Sequence, residues 1–141
     1  MKSIRTILIL TLIATCHIGQ GQSIDSAQQD LKNLSDIDFF RKYSFDDQTL
    51  SKDDIKVTKL IWSLSQLRTI DKGLRQQGVR TLTRIDARPS GKSQYYIIGH
   101  YQLPTPDHLA RISFYRVDMK NKTIDYQSLD DFIGDKWKRL E

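Results

Sequence analysis

The sequence predicts an α+β fold in which N-terminal helices pack on a four-stranded antiparallel meander sheet, closed by a short C-terminal helical strap. Three observations predict it. Residues 94–103, 109–118 and 123–127 are consecutive segments dense in Tyr, Ile, Phe and Val, the side chains that suit a pleated, half-buried surface. Short polar or proline-bearing connections join them, which is the spacing of hairpins. Upstream, Ile55, Leu60, Ile61, Leu64 and Leu67 recur at helical spacing, so residues 52–76 form the main amphipathic helix.

The elements follow in order. Lys2 and Arg5 precede an apolar run over residues 7–14, and Gly19-Gln20-Gly21 places small residues before a cleavage after Gly21. Residues 1–21 therefore read as a signal peptide, the apolar run being far short of the roughly 20 residues that span a bilayer. The competing reading is a lipoprotein signal ending at Cys16, the one cysteine of the chain, although Thr15 is a poor residue before an acylated cysteine. Either way the remaining domain holds no cysteine, so burial alone must stabilise it. Residues 22–29 are polar, as in a flexible N-terminus. Residues 30–141 then form a single α+β domain.

Leu31, Leu34, Ile37, Phe40 and Tyr43 recur at steps of three and predict one short helix over residues 30–43. Ser51, followed by Asp53 and Asp54, is a helix start with a serine cap and acids in the first turn. Ser65 and Gly73 weaken the long helix, leaving a kink or two shorter helices open, and Gly78 ends it. Residues 79–88 alternate and form the first strand. Residues 89–92 (PSGK) are turn chemistry. Residues 104–107 (PTPD) cannot continue a ladder, and residues 119–122 make a hairpin loop with Asn121 left-handed. Leu129, Phe132, Ile133 and Trp137 fit a closing strap over residues 128–141.

At 141 residues, 38% of them hydrophobic, the chain suits one domain with a modest core. Without Lys2 and Arg5 it has 20 basic and 17 acidic residues, too mild an excess to imply a polyanion partner. The distribution is uneven: residues 25–54 carry a net charge of −4, and residues 68–92 a net of +5.

A period of two sorts the strand faces. One assignment turns Ile85, Tyr96, Ile98, Ile112, Phe114, Ile124 and Tyr126 toward the helix, with a bulge near Arg116 returning Val117 inward. The opposite face then carries Arg80, Arg84, Tyr95, Tyr101, Arg111 and Tyr115. Guanidinium forks bind carboxylate or phosphate, and tyrosines add flat contact area. These six residues are the candidate binding site.

Residues 59–64 (KLIWSL), 95–98 (YYII), 112–118 (ISFYRVD), 123–127 and Trp137-Lys138 resemble a group of small exported proteins of Bacteroidota. In that group a Leu-Trp-Ser-Leu-Pro-Glu-Val segment precedes a Tyr-Tyr strand, an aromatic strand and a terminal Trp. Here Ser65-Gln66-Leu67 replaces Pro-Glu-Val, which suggests a helix that runs further. The strand–turn–strand ending also resembles PepSY-type and cystatin-like modules, in which one helix lies on an antiparallel sheet. The resemblance implies fold and export, and it brings no catalytic residues with it.

Other chemistry is sparse. His100 and His108 with Asp107 supply no third ligand at zinc spacing, and His100 is expected inside as a hydrogen-bonded structural residue. Paired aspartates at 46–47, 53–54 and 130–131 fall where Asp caps backbone donors. Trp62 is expected in the core, as is Trp137. The expected function is that of an exported, periplasmic or secreted, non-enzymatic protein that binds another macromolecule, of inhibitor or immunity type. Its partner is expected to be another protein or an anionic envelope component, with no cofactor, no nucleic acid, and a membrane only if Cys16 is lipidated. The alternative is a small cystatin-like enzyme or ligand carrier with a pocket between helix and sheet.

Overall fold

The computed structural model describes residues 25–45, 50–105 and 108–140, with backbone alone for 104, 105, 108 and 109. The signal segment, Cys16, the pair Asp46-Asp47, Asp107 and the His108 side chain lie outside that description. Four helices come first: α1 (Ser26–Asn33), α2 (Asp36–Tyr43), α3 (Lys52–Ser63) and α4 (Ser65–Gln76). The strands are β1 (Arg80–Ala87), β2 (Tyr96–Thr105), β3 (His108–Asp118), β4 (Thr123–Ser128) and β5 (Lys138–Leu140), with one turn of helix, α5 (Leu129–Phe132), before the last.

Each helix boundary has a local cause. The single helix expected over 30–43 is two, because Leu34 is extended and Ser35 caps α2 by accepting from the Asp38 amide. α1 also takes in residues 26–29 of the stretch expected to be flexible, with the Asp25 side chain as its cap. Ser51 and Asp54 form a capping box at the head of α3. α3 ends at Leu64, whose ψ of 125° is extended. The helix expected over residues 52–76 is thus two, although no proline is present at the break. Arg68 bridges the break, donating to the Trp62 and Ser63 carbonyls and to Asp25. Gly78, at φ 77°, closes α4. The Val79 amide reaches back to the Leu74 carbonyl and the Gly78 amide to that of Arg75, the reciprocal pair that a left-handed glycine permits.

The five strands lie in chain order, β1-β2-β3-β4-β5, all antiparallel. The fold is thus α+β with one strand more than expected, since the second half of the anticipated strap pairs with β4. β2 also continues through Pro104 to Thr105 by a register shift. The β3–β4 turn places Lys122 rather than Asn121 in the left-handed region, at φ 55°, and Asp118 accepts from the Lys120 and Asn121 amides.

The helices cover one face of the sheet. Trp62 sits at the centre of this layer, fully buried, its ring 4.6 Å from Tyr43 and its Nε1 donating to Thr83 Oγ1 at 3.0 Å. Phe39, Val57, Ile61, Leu67, Ile98, Tyr115 and Val117 complete the core around it. Ile85, Tyr96, Ile98, Ile124 and Tyr126 point inward as their parity requires. The face assignment of β3 is corrected. Ser113 pairs with His100 but Arg111 with Tyr101, so Ile112 is the extra residue of a bulge. Beyond it Tyr115 and Val117 point inward, and Phe114 and Arg116 outward. The acidic front of the chain folds onto its basic middle through Asp25–Arg68 at 2.8 Å and Asp54–Arg88 at 3.1 Å.

Candidate binding face

Apart from the single turn of α5, no helix among the described residues covers the outer face of the sheet. Cross-strand register brings Leu82, Tyr101 and Arg111 into one row, and Arg84, Gly99 and Phe114 into the next. The Tyr101 ring lies over Gly99. A Cβ there would overlap that ring and stand 2.5 Å from Asp86 Oδ2. Gly99→Ala is accordingly expected to displace Tyr101 and to cost about 1–3 kcal/mol by overpacking. A urea titration checks this, and an unchanged midpoint would remove Tyr101 from its place.

Around Tyr101 the polar groups are matched. Arg84 donates through Nε to Asp86 Oδ1 at 2.7 Å and through Nη2 to the Tyr101 hydroxyl at 3.0 Å. That hydroxyl donates to Asp86 Oδ2 at 2.7 Å and accepts from Arg111 Nη2 at 3.2 Å. Both guanidinium groups lie over the Tyr101 ring, Arg84 at 4.8 Å and Arg111 at 5.5 Å from its centroid. Arg111 is closer still to the Phe114 ring, at 4.1 Å, a cation–π arrangement. The carboxylate of Asp86 holds the Arg84 pKa above its ordinary value. Burial, then hydrogen bonding to Asp86, raises that of Tyr101.

A second cluster lies across the sheet. Arg116 is stacked between Tyr95 at 5.0 Å and Trp137 at 4.7 Å, and it bonds Asp125 at 2.8 Å. Arg139 completes the group by donating to the other Asp125 oxygen at 2.5 Å. Burial alone would raise the Asp125 pKa, but the two arginines outweigh it and hold the carboxyl low. Between the clusters, Phe132 stacks on Phe114 at 5.5 Å and is still 56% exposed, next to Ile133 at 92%.

Of the six residues expected to form the site, the structure brings Arg84, Tyr101 and Arg111 together and places Tyr95 in the second cluster. Arg80 stands at the sheet edge, donating to the Lys42 carbonyl at 3.4 Å and lining a crevice with Arg75 and Val79. Tyr115 leaves the site altogether: the bulge at Ile112 turns it inward, where it is fully buried and packs on Tyr126. The residues not anticipated on this face are Asp86, Phe114, Arg116, Phe132 and Trp137. Trp137, expected inside, is a half-buried plate on the outer face.

His100 is enclosed, as expected, but neither ring nitrogen has a hydrogen-bond partner among the described residues. It stands edge-on to Trp62 with centroids 6.1 Å apart. Among the described residues no three His, Cys, Asp or Glu side chains are grouped to hold a metal. No family model, curated protein or solved structure matches this chain.

Proposed function

We propose that the chain is an exported, non-enzymatic protein that holds another protein on the outer face of its sheet, in a role of inhibitor or immunity type. One observation carries the reading: the arginines of this face are mounted on aromatic rings, in the series Arg84–Tyr101–Arg111–Phe114, beside apolar residues left open to solvent. Tyr, Trp and Arg in fixed rotamers are the groups that dominate binding at protein interfaces. Export rests on residues 1–21, and the PepSY-like or cystatin-like shape on the motifs that resemble those modules.

The alternative, a ligand carrier, would need room between helices and sheet. At the centre of that layer Trp62, Tyr43 and Tyr115 fill the space. A cleft of about 470 Å³ does open at its end, lined by Asp53, Lys56, Gln94, Tyr96 and Met119, and it is where a small ligand would enter under that reading.

The test is capture of the partner from the native envelope by the mature chain, followed by calorimetry with the captured protein. Phe132→Ser with Ile133→Ser removes two exposed side chains and should leave the melting temperature within about a degree or two, since surface changes are small. The same variant should weaken binding about tenfold or more. Equal affinity of wild type and variant would move the binding site away from this face.

A further inference from the structure

We propose that Arg111 is the anchoring point of this face and seats a carboxylate from the partner, an Asp or Glu side chain flanked by an apolar residue that rests on Phe132 and Ile133. The inference rests on the binding reading above and names the chemistry of the partner. The strand register puts Arg80, Arg84, Arg111, Arg116 and Arg139 on the outer face against Asp118 and Asp125, and Asp86 joins them through its bonds to Arg84 and Tyr101. Most of this charge is matched internally. Arg84 is paired with Asp86, while Arg116 and Arg139 share Asp125. Arg111 differs. Among the described residues it forms no ion pair, its one hydrogen bond goes to the neutral Tyr101 hydroxyl, and its Nε is buried without a partner.

A guanidinium fixed between two rings is already ordered, so little entropy is lost when it takes a ligand. With Asp86 neutralising Arg84, the net charge at the spot is that of a single cation, which suits a monoanion. A phosphate near −2 would meet the Asp86 carboxylate at close range. Phe114 links the cation to the exposed apolar pair: its ring carries Arg111 at 4.1 Å and stacks on Phe132 at 5.5 Å, next in sequence to Ile133, which calls for an apolar group near the acid. Arginine offers a planar fork that receives a carboxylate in two parallel hydrogen bonds.

Side-chain NMR of the arginine Nε–Hε groups tests this on the mature chain. The probes are sodium phenylacetate, a carboxylate beside a ring, with sodium acetate, sodium phosphate and sodium chloride at equal ionic strength. Phenylacetate is expected to shift the Arg111 signal saturably, with acetate about fivefold weaker and chloride without effect. Arg111→Gln should abolish the response, and Phe132→Ala, a change at an exposed ring, should reduce phenylacetate to the affinity of acetate. An Arg111 signal that moves no more than that of Arg139, or that binds phosphate more tightly than either carboxylate, would overturn the assignment. That result would leave the binding face itself standing if the Phe132 and Ile133 substitutions still weaken partner binding. Loss of the face would instead show as unchanged capture with the phenylacetate response intact.

Discussion

Trp62→Ala is expected to destabilise the protein by about 4 kcal/mol, the cost of removing the largest buried side chain and leaving its cavity. The ring is fully buried, touches Tyr43 and His100, and gives its one hydrogen bond to Thr83. Truncation therefore removes the contact surface of three elements and leaves the Thr83 hydroxyl with the Tyr43 carbonyl as its remaining partner. A domain of this size has roughly 5–15 kcal/mol in all, so the melting temperature should fall by about 10 °C or more. Trp62→Phe keeps most of the packing and loses the hydrogen bond, which should cost about 1–3 kcal/mol. Trp137→Ala, on the outer face, is the control and should move the transition by only a few degrees. Thermal melts of the three variants decide the matter. A small shift for Trp62→Ala would mean that the helices do not pack through this residue.

The second large effect is a loss of stability in mild acid that traces to His100. Thr83 of β1 and Ser113 of β3 flank His100 in the register, Trp62 of α3 stands edge-on to the imidazole, and no side chain among the described residues bonds its nitrogens. Burial pushes its pKa from 6.5 down to about 4. The unfolded chain therefore takes up this proton near pH 6.5, whereas the folded chain resists it until about pH 4. Between those values the unfolded state binds more protons, so stability is whole above pH 6.5 and drains away as the pH falls. The loss is about 3 kcal/mol on reaching pH 4. Asp30, Asp54 and Asp125 follow lower down. Burial would raise their pKa values, but their cationic partners hold them below the usual carboxylate range. The upper part of the acid transition is consequently that of the histidine. Urea midpoints at pH 7.5 and 4.5 should differ strongly in the wild type and much less in His100→Phe. A variant as acid-labile as the parent would assign the effect to another group.

The strands were legible because Tyr, Ile and Val mark them off from turn residues, and β1 to β4 fall within about two residues of expectation. β5 was not, since Lys138-Arg139-Leu140 is short and shows no period. The steps of three run straight through Leu34, so residues 30–43 show the pattern of one helix. The serine after it, with Asp three residues on, was the capping signal that separates α1 from α2. The face of β3 turned on a single residue. Alternation through Ala110, Ile112 and Phe114 is continuous, and both faces of that strand are rich in apolar groups, so pattern gave no warning of the bulge at Ile112. Taking Tyr115 and Val117 as the inner pair would have placed Phe114 and Arg116 outside without a second irregularity. That Arg84 and Tyr101 share one face of the sheet is legible from the pairing of neighbouring strands alone. The place of Trp137 and Phe132 was not, because it depends on how the chain returns after β4.

The chain order of the strands also has a kinetic consequence. Every strand pairs with its predecessor, so the sheet grows by successive hairpins, each needing only a short loop to close. The helices stand apart from this: Trp62 and Tyr43 reach Thr83 on β1 only after intervals of 21 and 40 residues. During synthesis the helical half is complete before any strand exists to receive it. Its apolar stripe, with Phe39, Tyr43 and Trp62, then has no cover until the first hairpin forms. Docking of the helices on that hairpin is the non-local step of the fold, and refolding should be slowest where substitutions in α3 and β1 weaken the transition state for that step.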